Sequence, residues 1–459
     1  MNKGRVMIAG THSGCGKTTV VCSLLAALKT RGLALSSFKC GPDYIDPMFH
    51  RQAIGVAACN LDPYFCTPRQ LRQLLATYGR GISLLEGAMG YYDGVGASGC
   101  YSAYDVAAAT ATPVVLVVDA RGMYASAGAL LQGFAAYRQD SFLCGVIFNR
   151  ASDSLYEGLR QLALRAGFLP LGFLPPTAPA GFASRHLGLV TAAETENLPQ
   201  KLALLGELAE RHIDLDGLLA LAAQAPPIAE QPLQRQPLGR ARIAVANDEA
   251  FCFRYAENLS LLQALGCELC FFSPLHDRCL PSGCAGLYLC GGYPELHLPA
   301  LAQNSTMLHA VREAINSGMP TVAECGGFLY LHQKLDGIPL AGVIAAEAWR
   351  GGKLRHFGYV ELRAQEDNLL CAAGERIRTH EFHYYESSDP GAGFHAQKPL
   401  RLQGWDCVHS TKTLYAGFPH LYWEAAPHFA ENFVRKVLRY ETESAGPIFE
   451  TAGRTAERD

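Results

Sequence analysis

Continuous apolar runs alternate with amphipathic stretches over the first 175 positions of the chain. The apolar runs are short enough for buried strands and lie at residues 5–9, 82–85, 113–118, 144–148 and 169–174. Helical periodicity occurs between them, at residues 17–31, 104–110, 125–137 and 154–166. Strands that are apolar on both faces and are separated by helices are typical of a parallel sheet covered on both sides. The pattern therefore predicts an α/β domain built on such a sheet.

A second alternating unit follows after a change of composition. Residues 191–220 show helical periodicity, and residues 225–237 contain four prolines and no periodicity, which is typical of a linker. Strands are then predicted at 242–246, 268–272 and 286–289, helices at 256–265 and 301–317, and a more β-like portion at 340–405. We predict four segments: an α/β domain at 1–195, a helical segment and linker at 196–240, a second α/β domain at 241–440, and a polar, frayed tail at 441–459.

The composition argues against several classes of protein. The 459 residues carry a formal net charge of −3 and 49% of them are hydrophobic, so we expect a globular protein with no nucleic-acid partner. No apolar run reaches transmembrane length and no signal peptide is recognised, so we expect a cytoplasmic protein without a membrane partner. The 16 cysteines are then expected to be mostly reduced. The CxxC of Cys267 and Cys270 lies in a predicted strand and is interpreted as structural.

A glycine-rich loop, GTHSGCGKTT at residues 10–19, joins the first predicted strand to the first predicted helix. Its backbone N–H groups form a nest for phosphate oxygens, Lys17 can reach the outer phosphates, and the Thr18 hydroxyl can ligate magnesium. The first glycine comes one residue earlier than in the standard G-x-x-x-x-G-K-[ST] spacing, as in the branch of NTP-binding proteins that has a longer loop. Asn149, at the end of a later strand, is interpreted as either an adenine contact or a strand-end cap. The predicted ATP-binding residues are Gly10, Thr11, Ser13, Gly14, Gly16, Lys17, Thr18, Thr19 and Asn149.

Carboxylates occur where two buried segments end. FKCGPDYIDP at 38–47 supplies Asp43 and Asp46, and LLEGAMGYYDG at 84–94 supplies Glu86 and Asp93. Magnesium prefers hard oxygen ligands, and open α/β sheets bind ligands at the carboxyl ends of their strands. We therefore predict Thr18, Asp43 and Glu86 as magnesium ligands, whereas Asp93 is equally well explained as a turn former.

A cysteine stands at a second strand-to-helix junction, in PTVAECGGFLYL at 320–331. A sharp turn of this kind exposes its central side chain, and the two glycines after Cys325 leave space for a substrate. The positive end of the following helix is expected to favour thiolate over thiol. We predict that Cys325 is a nucleophile; a buried core cysteine is the alternative interpretation.

These motifs, taken together, resemble the cobyrinic acid a,c-diamide synthase family, over about residues 5–435. The matching segments are residues 10–19, 38–47, 60–62, 86–94, 185–189, 258–259, 272–277, 291–296, 323–327 and 380–383. The resemblance implies a P-loop domain similar to dethiobiotin synthetase, followed by a type 1 glutamine amidotransferase domain. It also implies that ATP, with Mg²⁺, converts the a and c carboxylates of a corrin precursor to acyl phosphates. Ammonia from glutamine then forms the amides, in cobalamin biosynthesis.

The resemblance assigns further residues. His420 matches the histidine that acts as base for Cys325, and Tyr422 stands where the family usually has a second histidine. Pro419 beside His420 and Ser184 before the Arg185-His186 pair also depart from the family pattern. The backbone N–H groups of Gly291, Gly292 and Gly326 are candidates for an oxyanion hole. The candidate substrate-binding residues are Tyr44, Asp46 and Asp93.

Several alternatives stay open at this point. Hydrogenobyrinic acid a,c-diamide synthase and nickel-sirohydrochlorin a,c-diamide synthase share these motifs, whereas cobyric acid synthase lacks the segment GPDYID. A P-loop regulatory ATPase with an inert amidotransferase-like domain is a candidate from another class. The HEFH segment, from His380 to His383, is interpreted as structural or interdomain rather than as a metal site. A homo-oligomer is possible.

Overall fold

The computed structural model describes residues 4–176, 184–185, 188–189 and 197–444. The chain divides into two compact units. Residues up to Gln234, with Phe253–Glu257 and Pro399–Arg401, form the first unit. Arg235–Cys252, Asn258–Lys398 and the residues from Leu402 onward form the second.

The first unit is built on a seven-stranded sheet in which every neighbouring pair is parallel, in the order β3-β2-β4-β1-β5-β6-β7. Its strands are β1 (Arg5–Gly10), β2 (Leu35–Cys40), β3 (Ala57–Leu61), β4 (Ile82–Glu86), β5 (Val114–Asp119), β6 (Leu143–Asn149) and β7 (Leu169–Leu174). Two further strands, β8 (Ser184–Arg185) and β9 (Gly188–Leu189), pair with each other. The predicted parallel sheet is thus confirmed.

Helices connect these strands. They are α1 (Lys17–Thr30), α2 (Ile45–Phe49), α3 (Pro68–Tyr78), α4 (Ala103–Thr110), α5 (Ala125–Tyr137), α6 (Asp153–Arg165), α7 (Leu198–His212) and α8 (Leu215–Ala223). One apolar cluster contains side chains from α1, α7 and α8 together with strand residues such as Val6, Val117 and Ile147. The two helices of the predicted 196–240 segment therefore pack into the core of the first unit, and residues 225–240 after them have no regular secondary structure.

Strands β2 and β3 were not predicted. Strand β2 carries polar residues in fully buried positions. Ser36 Oγ lies 3.0 Å from Ser83 Oγ, and Ser37 Oγ lies 2.9 Å from His50 Nδ1. Lys39 pairs with carboxylates. Since each polar group has a partner, the strand can be buried without an apolar sequence.

The second unit has a six-stranded sheet in the order β11-β10-β12-β13-β21-β20, parallel except for the last pair. A second sheet has the order β15-β14-β16-β17-β22, with β18 paired to β16 and β19 paired to β18. The strands of the first sheet are β10 (Ala241–Ala246), β11 (Cys267–Phe272), β12 (Gly286–Leu289), β13 (Thr321–Glu324), β20 (His409–Ser410) and β21 (Leu414–Gly417). Those of the second are β14 (His332–Leu335), β15 (Ile338–Pro339), β16 (Ile344–Ala364), β17 (Arg376–Ser387), β18 (Phe394–Gln397), β19 (Gly404–Cys407) and β22 (His420–Leu421). The β-like portion expected at 340–405 corresponds to this second sheet.

The helices that lie wholly in this unit are α10 (Leu298–Gln303), α11 (Ser305–Asn316), α12 (Gly326–Tyr330) and α13 (Pro427–Ser444). Helix α9 (Ala256–Ala264) belongs to it from Asn258 onward. The single helix expected at 301–317 is interrupted at Asn304. That residue has a non-helical ψ of 58°, and its side-chain amide donates to the carbonyls of Pro274 and Asp277. Asparagine favours such local bonds over helix continuation. Within the described ranges, no helix is long and apolar enough to cross a membrane.

Candidate active sites

The glycine-rich loop runs from the end of β1 to the start of α1, as expected. Gly14 and Gly16 have φ values of 83° and 97°, which other residues adopt with strain. The Lys17 side chain folds back over the loop, where its Nζ donates to the carbonyl oxygens of His12 and Met89. Burial lowers the pKa of Lys17. A buried ammonium above a nest of backbone N–H groups is suited to phosphate.

Asn149, at the end of β6, helps to hold this loop. Its side-chain amide donates to the carbonyl oxygen of Cys15 at 2.9 Å. A β-carbon on Gly16 would lie 1.9 Å from the same amide nitrogen, so the loop and Asn149 are in close contact. The contact supports a role in shaping the loop, and the adenine contact stays a prediction.

An acidic cluster lies beside the first turn of α1. Thr18 Oγ1 is 2.7 Å from Glu86 Oε1, at the end of β4, and 3.2 Å from Asp46 Oδ2, in α2. Lys39 Nζ lies between the two carboxylates, 2.5 Å from Asp46 Oδ2 and 2.8 Å from Glu86 Oε1. Glu86 is fully buried, and Asp46 and Lys39 are nearly so. The cluster therefore combines two carboxylates, a hydroxyl and one ammonium in a buried site.

Electrostatic coupling sets the charges in this cluster. Burial raises the pKa of the Glu86 carboxyl to about 7, even though the Lys39 ammonium opposes the rise. Burial would also raise the pKa of Asp46, but the charge of Lys39 and its hydrogen bond hold that pKa below its ordinary range. Burial acts to lower the pKa of Lys39, and the carboxylates of Asp46 and Glu86 outweigh it and raise the pKa. The cluster thus keeps Lys39 and Asp46 charged.

The magnesium ligands predicted from sequence are only partly brought together. Thr18 and Glu86 are adjacent, but the second carboxylate beside Thr18 belongs to Asp46, which was predicted as a substrate contact. Asp43 Oδ1 instead accepts the backbone N–H groups of Ile45 and Asp46, and its Oδ2 is 3.9 Å from Lys39 Nζ. Asp43 therefore begins the α2 turn, and the metal role assigned to it stays a prediction.

The other predicted substrate residues have structural contacts. Asp93 Oδ2 accepts the backbone N–H of Gly90 at 3.0 Å, as a turn former does. The Tyr44 ring contacts the rings of Phe253 and Tyr255, which belong to the same unit. Both remain candidates for substrate contact.

The donor set around Thr18 fits magnesium in its chemistry. No group of three or more His, Cys, Asp or Glu side chains suited to a metal occurs in the part of the chain that the structure describes. Magnesium, however, is usually held by one or two carboxylates and completed by water and substrate phosphates. Asp46, Glu86 and Thr18 supply two carboxylates and a hydroxyl of this kind next to the phosphate loop. Lys39 was missed by sequence analysis, although it lies in the segment that carries Asp43 and Asp46.

The second candidate site is the turn at Cys325, between β13 and α12, as expected. Cys325 has φ 48° and ψ −98°, an unusual conformation for a residue other than glycine. Its backbone N–H donates to the carbonyl oxygen of Gly417, at the end of β21. A strained turn fixed by neighbouring structure is typical of a nucleophile elbow.

The helix dipole was expected to favour the thiolate of Cys325, and this expectation was wrong because the pKa of the thiol is raised. Burial raises the pKa of the Cys325 thiol, and the carboxylates of Glu295, Glu381 and Glu324 raise it further. The backbone N–H of Gly326 opposes this rise, but α12 is only five residues long. The raised pKa favours the protonated thiol, so a nucleophilic role for Cys325 would require a base.

His420, the predicted base, lies in β22 and pairs in register with His380 of β17. Its Nδ1 is 3.8 Å from Glu324 Oε2, and Glu324 directly precedes Cys325. The carbonyl oxygen of Gly417 accepts the backbone N–H of Cys325, and Gly417 lies three residues before His420. This short connection places His420 near the turn at Cys325. Its role as base stays a prediction.

The glycines predicted for the oxyanion hole lie at the same elbow. A β-carbon on Gly326 would lie 2.9 Å from the backbone nitrogen of Gly292, and one on Gly292 would lie 2.0 Å from the carbonyl oxygen of Ala250. The backbone of Gly292 therefore approaches Gly326 closely. The role of Gly291, Gly292 and Gly326 as oxyanion-hole donors stays a prediction.

The second glycine of the elbow has a packing role that can be tested. A β-carbon on Gly327 would lie 2.2 Å from the carbonyl oxygen of Leu289 in β12. We expect Gly327→Ala to lower the free energy of unfolding by about 2 kcal/mol, because backbone would have to move. Denaturant titration measures the change, with Gly352→Ala as the control, since its added carbon meets open space. Equal stability of the two variants would contradict this packing.

The HEFH segment makes contacts inside the second sheet. The His383 ring stacks on Phe418 with a centroid distance of 3.7 Å, and its Nδ1 lies 2.6 Å from the carbonyl oxygen of Tyr385. Burial lowers the pKa of His380 to about 3, so this ring is neutral. These contacts agree with the structural interpretation of the segment.

Comparison with known proteins identifies two domains in the chain. Residues 6–183 match the CobQ/CobB/MinD/ParA nucleotide binding domain, and residues 242–427 match the CobB/CobQ-like glutamine amidotransferase domain. A nucleotide-binding domain and a glutamine amidotransferase domain in one chain define the class as a glutamine-hydrolysing ligase.

Three relatives align over almost the whole chain. The cobyrinate a,c-diamide synthase of Caldanaerobacter subterraneus subsp. tengcongensis is 38% identical, covering 90% of this chain and 94% of the relative. The cobyrinate a,c-diamide synthase of Salmonella typhimurium is 37% identical, covering 94% of this chain and 98% of the relative. The hydrogenobyrinate a,c-diamide synthase of Streptomyces coelicolor is 37% identical, covering 94% of this chain and 97% of the relative. The chain belongs to the cobyrinate a,c-diamide synthase family.

Proposed function

We propose that the protein catalyses the ATP- and glutamine-dependent amidation of the a and c carboxylates of cobyrinic acid in cobalamin biosynthesis. The observation that carries the proposal is the presence of two complementary sites in one family member. The Thr18–Asp46–Glu86 cluster adjoins a phosphate loop, and Cys325 lies on a strained elbow. The first is suited to activating a carboxylate, and the second to releasing ammonia from glutamine.

At the first site, an oxygen of the substrate carboxylate attacks the γ-phosphorus of ATP, and ADP leaves. The loop N–H groups and Lys17 hold the phosphates in line. Asp46, Glu86 and Thr18 would hold Mg²⁺, which neutralises charge that develops on the phosphates. Ammonia then attacks the carbonyl carbon of the acyl phosphate, and inorganic phosphate leaves as the amide forms.

At the second site, His420 accepts the thiol proton of Cys325, and the sulfur attacks the amide carbon of glutamine. The carbon–nitrogen bond breaks, and the imidazolium returns the proton so that ammonia leaves from a thioester. Water hydrolyses the thioester to glutamate and restores the thiol. The N–H groups of Gly291, Gly292 and Gly326 would stabilise the oxyanion at each tetrahedral stage.

Hydrogenobyrinate is the second candidate substrate, because one relative of similar identity bears that name. The test is a panel of cobyrinate, hydrogenobyrinate and nickel-sirohydrochlorin, each with glutamine, ATP and Mg²⁺. Product masses report how many carboxyl groups become amides. Double amidation of cobyrinate at the highest kcat/KM is expected; a clear preference for another ring would replace the substrate, and no amidation of any ring would refute the activity.

A further inference from the structure

His420 has a buried carboxylate on one side of its ring. The Nδ1 atom lies 3.8 Å from Oε2 of Glu324, and the side chains are 3% and 2% exposed. A carboxylate is costly to bury unless charge or hydrogen bonds compensate it. The buried carboxylate of Glu324 therefore needs neighbours that compensate it, and the ionisable ring of His420 is one of them.

Other contacts hold the Glu324 carboxylate in place. Its Oε1 accepts the backbone N–H of Leu421 at 3.1 Å, and its Oε2 accepts the Tyr288 hydroxyl at 3.0 Å. Leu421 follows His420 in β22, and Tyr288 lies in β12. Two donors from different strands thus fix the carboxylate on the Nδ1 side of the ring.

A histidine that serves as base for a nucleophile needs an acceptor on its far nitrogen. The acceptor selects the tautomer with a proton on Nδ1 and stabilises the imidazolium that forms. The position two residues after His420 is Tyr422, a buried residue with no carboxylate to supply. The carboxylate must then come from another part of the fold.

We propose that Glu324 is a positioning residue that orients His420 and stabilises its imidazolium during glutamine hydrolysis. The proposal rests on the function proposed above for Cys325 and His420. Nδ1 faces Glu324, so Nε2 is assigned to the thiol. The thiol proton passes to Nε2 and from there to the departing ammonia, while the Glu324 carboxylate stays beside Nδ1. The 3.8 Å separation shortens to a hydrogen bond when the ring becomes charged.

The test is Glu324→Gln, which keeps the size of the side chain and an acceptor for Leu421 but removes the charge. We expect kcat for glutamine hydrolysis to fall by about 10²–10³-fold, with KM for glutamine within about threefold of wild type. Amidation with ammonium chloride as nitrogen donor stays unchanged. The matched control is Glu424→Gln, a buried carboxylate of the same unit that pairs with Arg235, and its kcat is expected to stay within about threefold of wild type.

The outcomes separate the inference from the function on which it rests. Full glutaminase kcat in Glu324→Gln, with loss in Cys325→Ser, overturns the role of Glu324 and leaves the proposed function intact. Glutaminase activity retained by Cys325→Ser refutes the function itself. A raised KM with unchanged kcat makes Glu324 a structural residue and also overturns the inference.

A second variant keeps the inference falsifiable should Glu324→Gln fail to fold. Tyr288→Phe removes one of the two donors that hold the carboxylate and leaves its charge in place. We expect kcat for glutamine hydrolysis to fall by about tenfold with little change in KM, since Glu324 loses a fixed position. A kcat equal to wild type in the folded Tyr288→Phe protein overturns the inference.

Discussion

Cys325→Ser is expected to reduce glutamine-dependent amidation by roughly 10⁴-fold, because a serine hydroxyl at this elbow cannot replace the thiol nucleophile. Amidation with ammonium chloride as nitrogen donor is expected to continue at the wild-type rate, since the acyl phosphate forms in the other domain. Product formation with each donor, measured at saturating ATP, gives the two rates.

The exposed Cys279 provides the control for this experiment. Cys279→Ser removes a thiol from the same unit and should leave both activities unchanged. Loss of ammonia-dependent amidation in Cys325→Ser would contradict a separate site for each half-reaction. Retention of glutamine-dependent amidation would show that another residue attacks glutamine.

Glu86→Gln is expected to lower amidation by about 10²–10³-fold with either glutamine or ammonia as nitrogen donor. The variant keeps the shape of the side chain but removes a carboxylate that we propose as a ligand to magnesium. Glutamine hydrolysis, measured as glutamate release without ATP, should be unaffected. The pattern is thus the reverse of that expected for Cys325→Ser.

Glu157→Gln is the matched control, because Glu157 is an exposed carboxylate of the same unit whose partner is Arg160. Its amidation rate should equal that of wild type. Wild-type turnover of Glu86→Gln at limiting magnesium would refute the ligand role. A loss of glutaminase activity in the same variant would indicate general unfolding instead.

Sequence analysis predicted the strands that are buried through apolar side chains. The run at 169–174 coincides with β7, and that at 286–289 coincides with β12. It did not predict β2, in which Ser36, Ser37 and Lys39 are buried through hydrogen bonds and ion pairs. Those partners come from distant parts of the chain, and no local pattern of apolar residues reveals them.

The candidate sites were likewise predicted where a local motif defines them and missed where distant segments meet. Lys17, Thr18 and Cys325 were found because each belongs to a contiguous motif with a defined turn. The approach of Asp46 rather than Asp43 to Thr18 depends on how the α2 turn is oriented, which the spacing of the two carboxylates does not decide. The raised pKa of the Cys325 thiol likewise depends on burial and on carboxylates from other segments.

The protonated state of Cys325 also bears on how the protein survives between catalytic cycles. Peroxides and alkylating agents react with thiolates far faster than with thiols. A nucleophile that stays protonated until glutamine and its base are aligned is therefore slow to be oxidised while idle. In a chain with 16 cysteines, the proposed nucleophile is thus protected by the same burial that raises the pKa of its thiol.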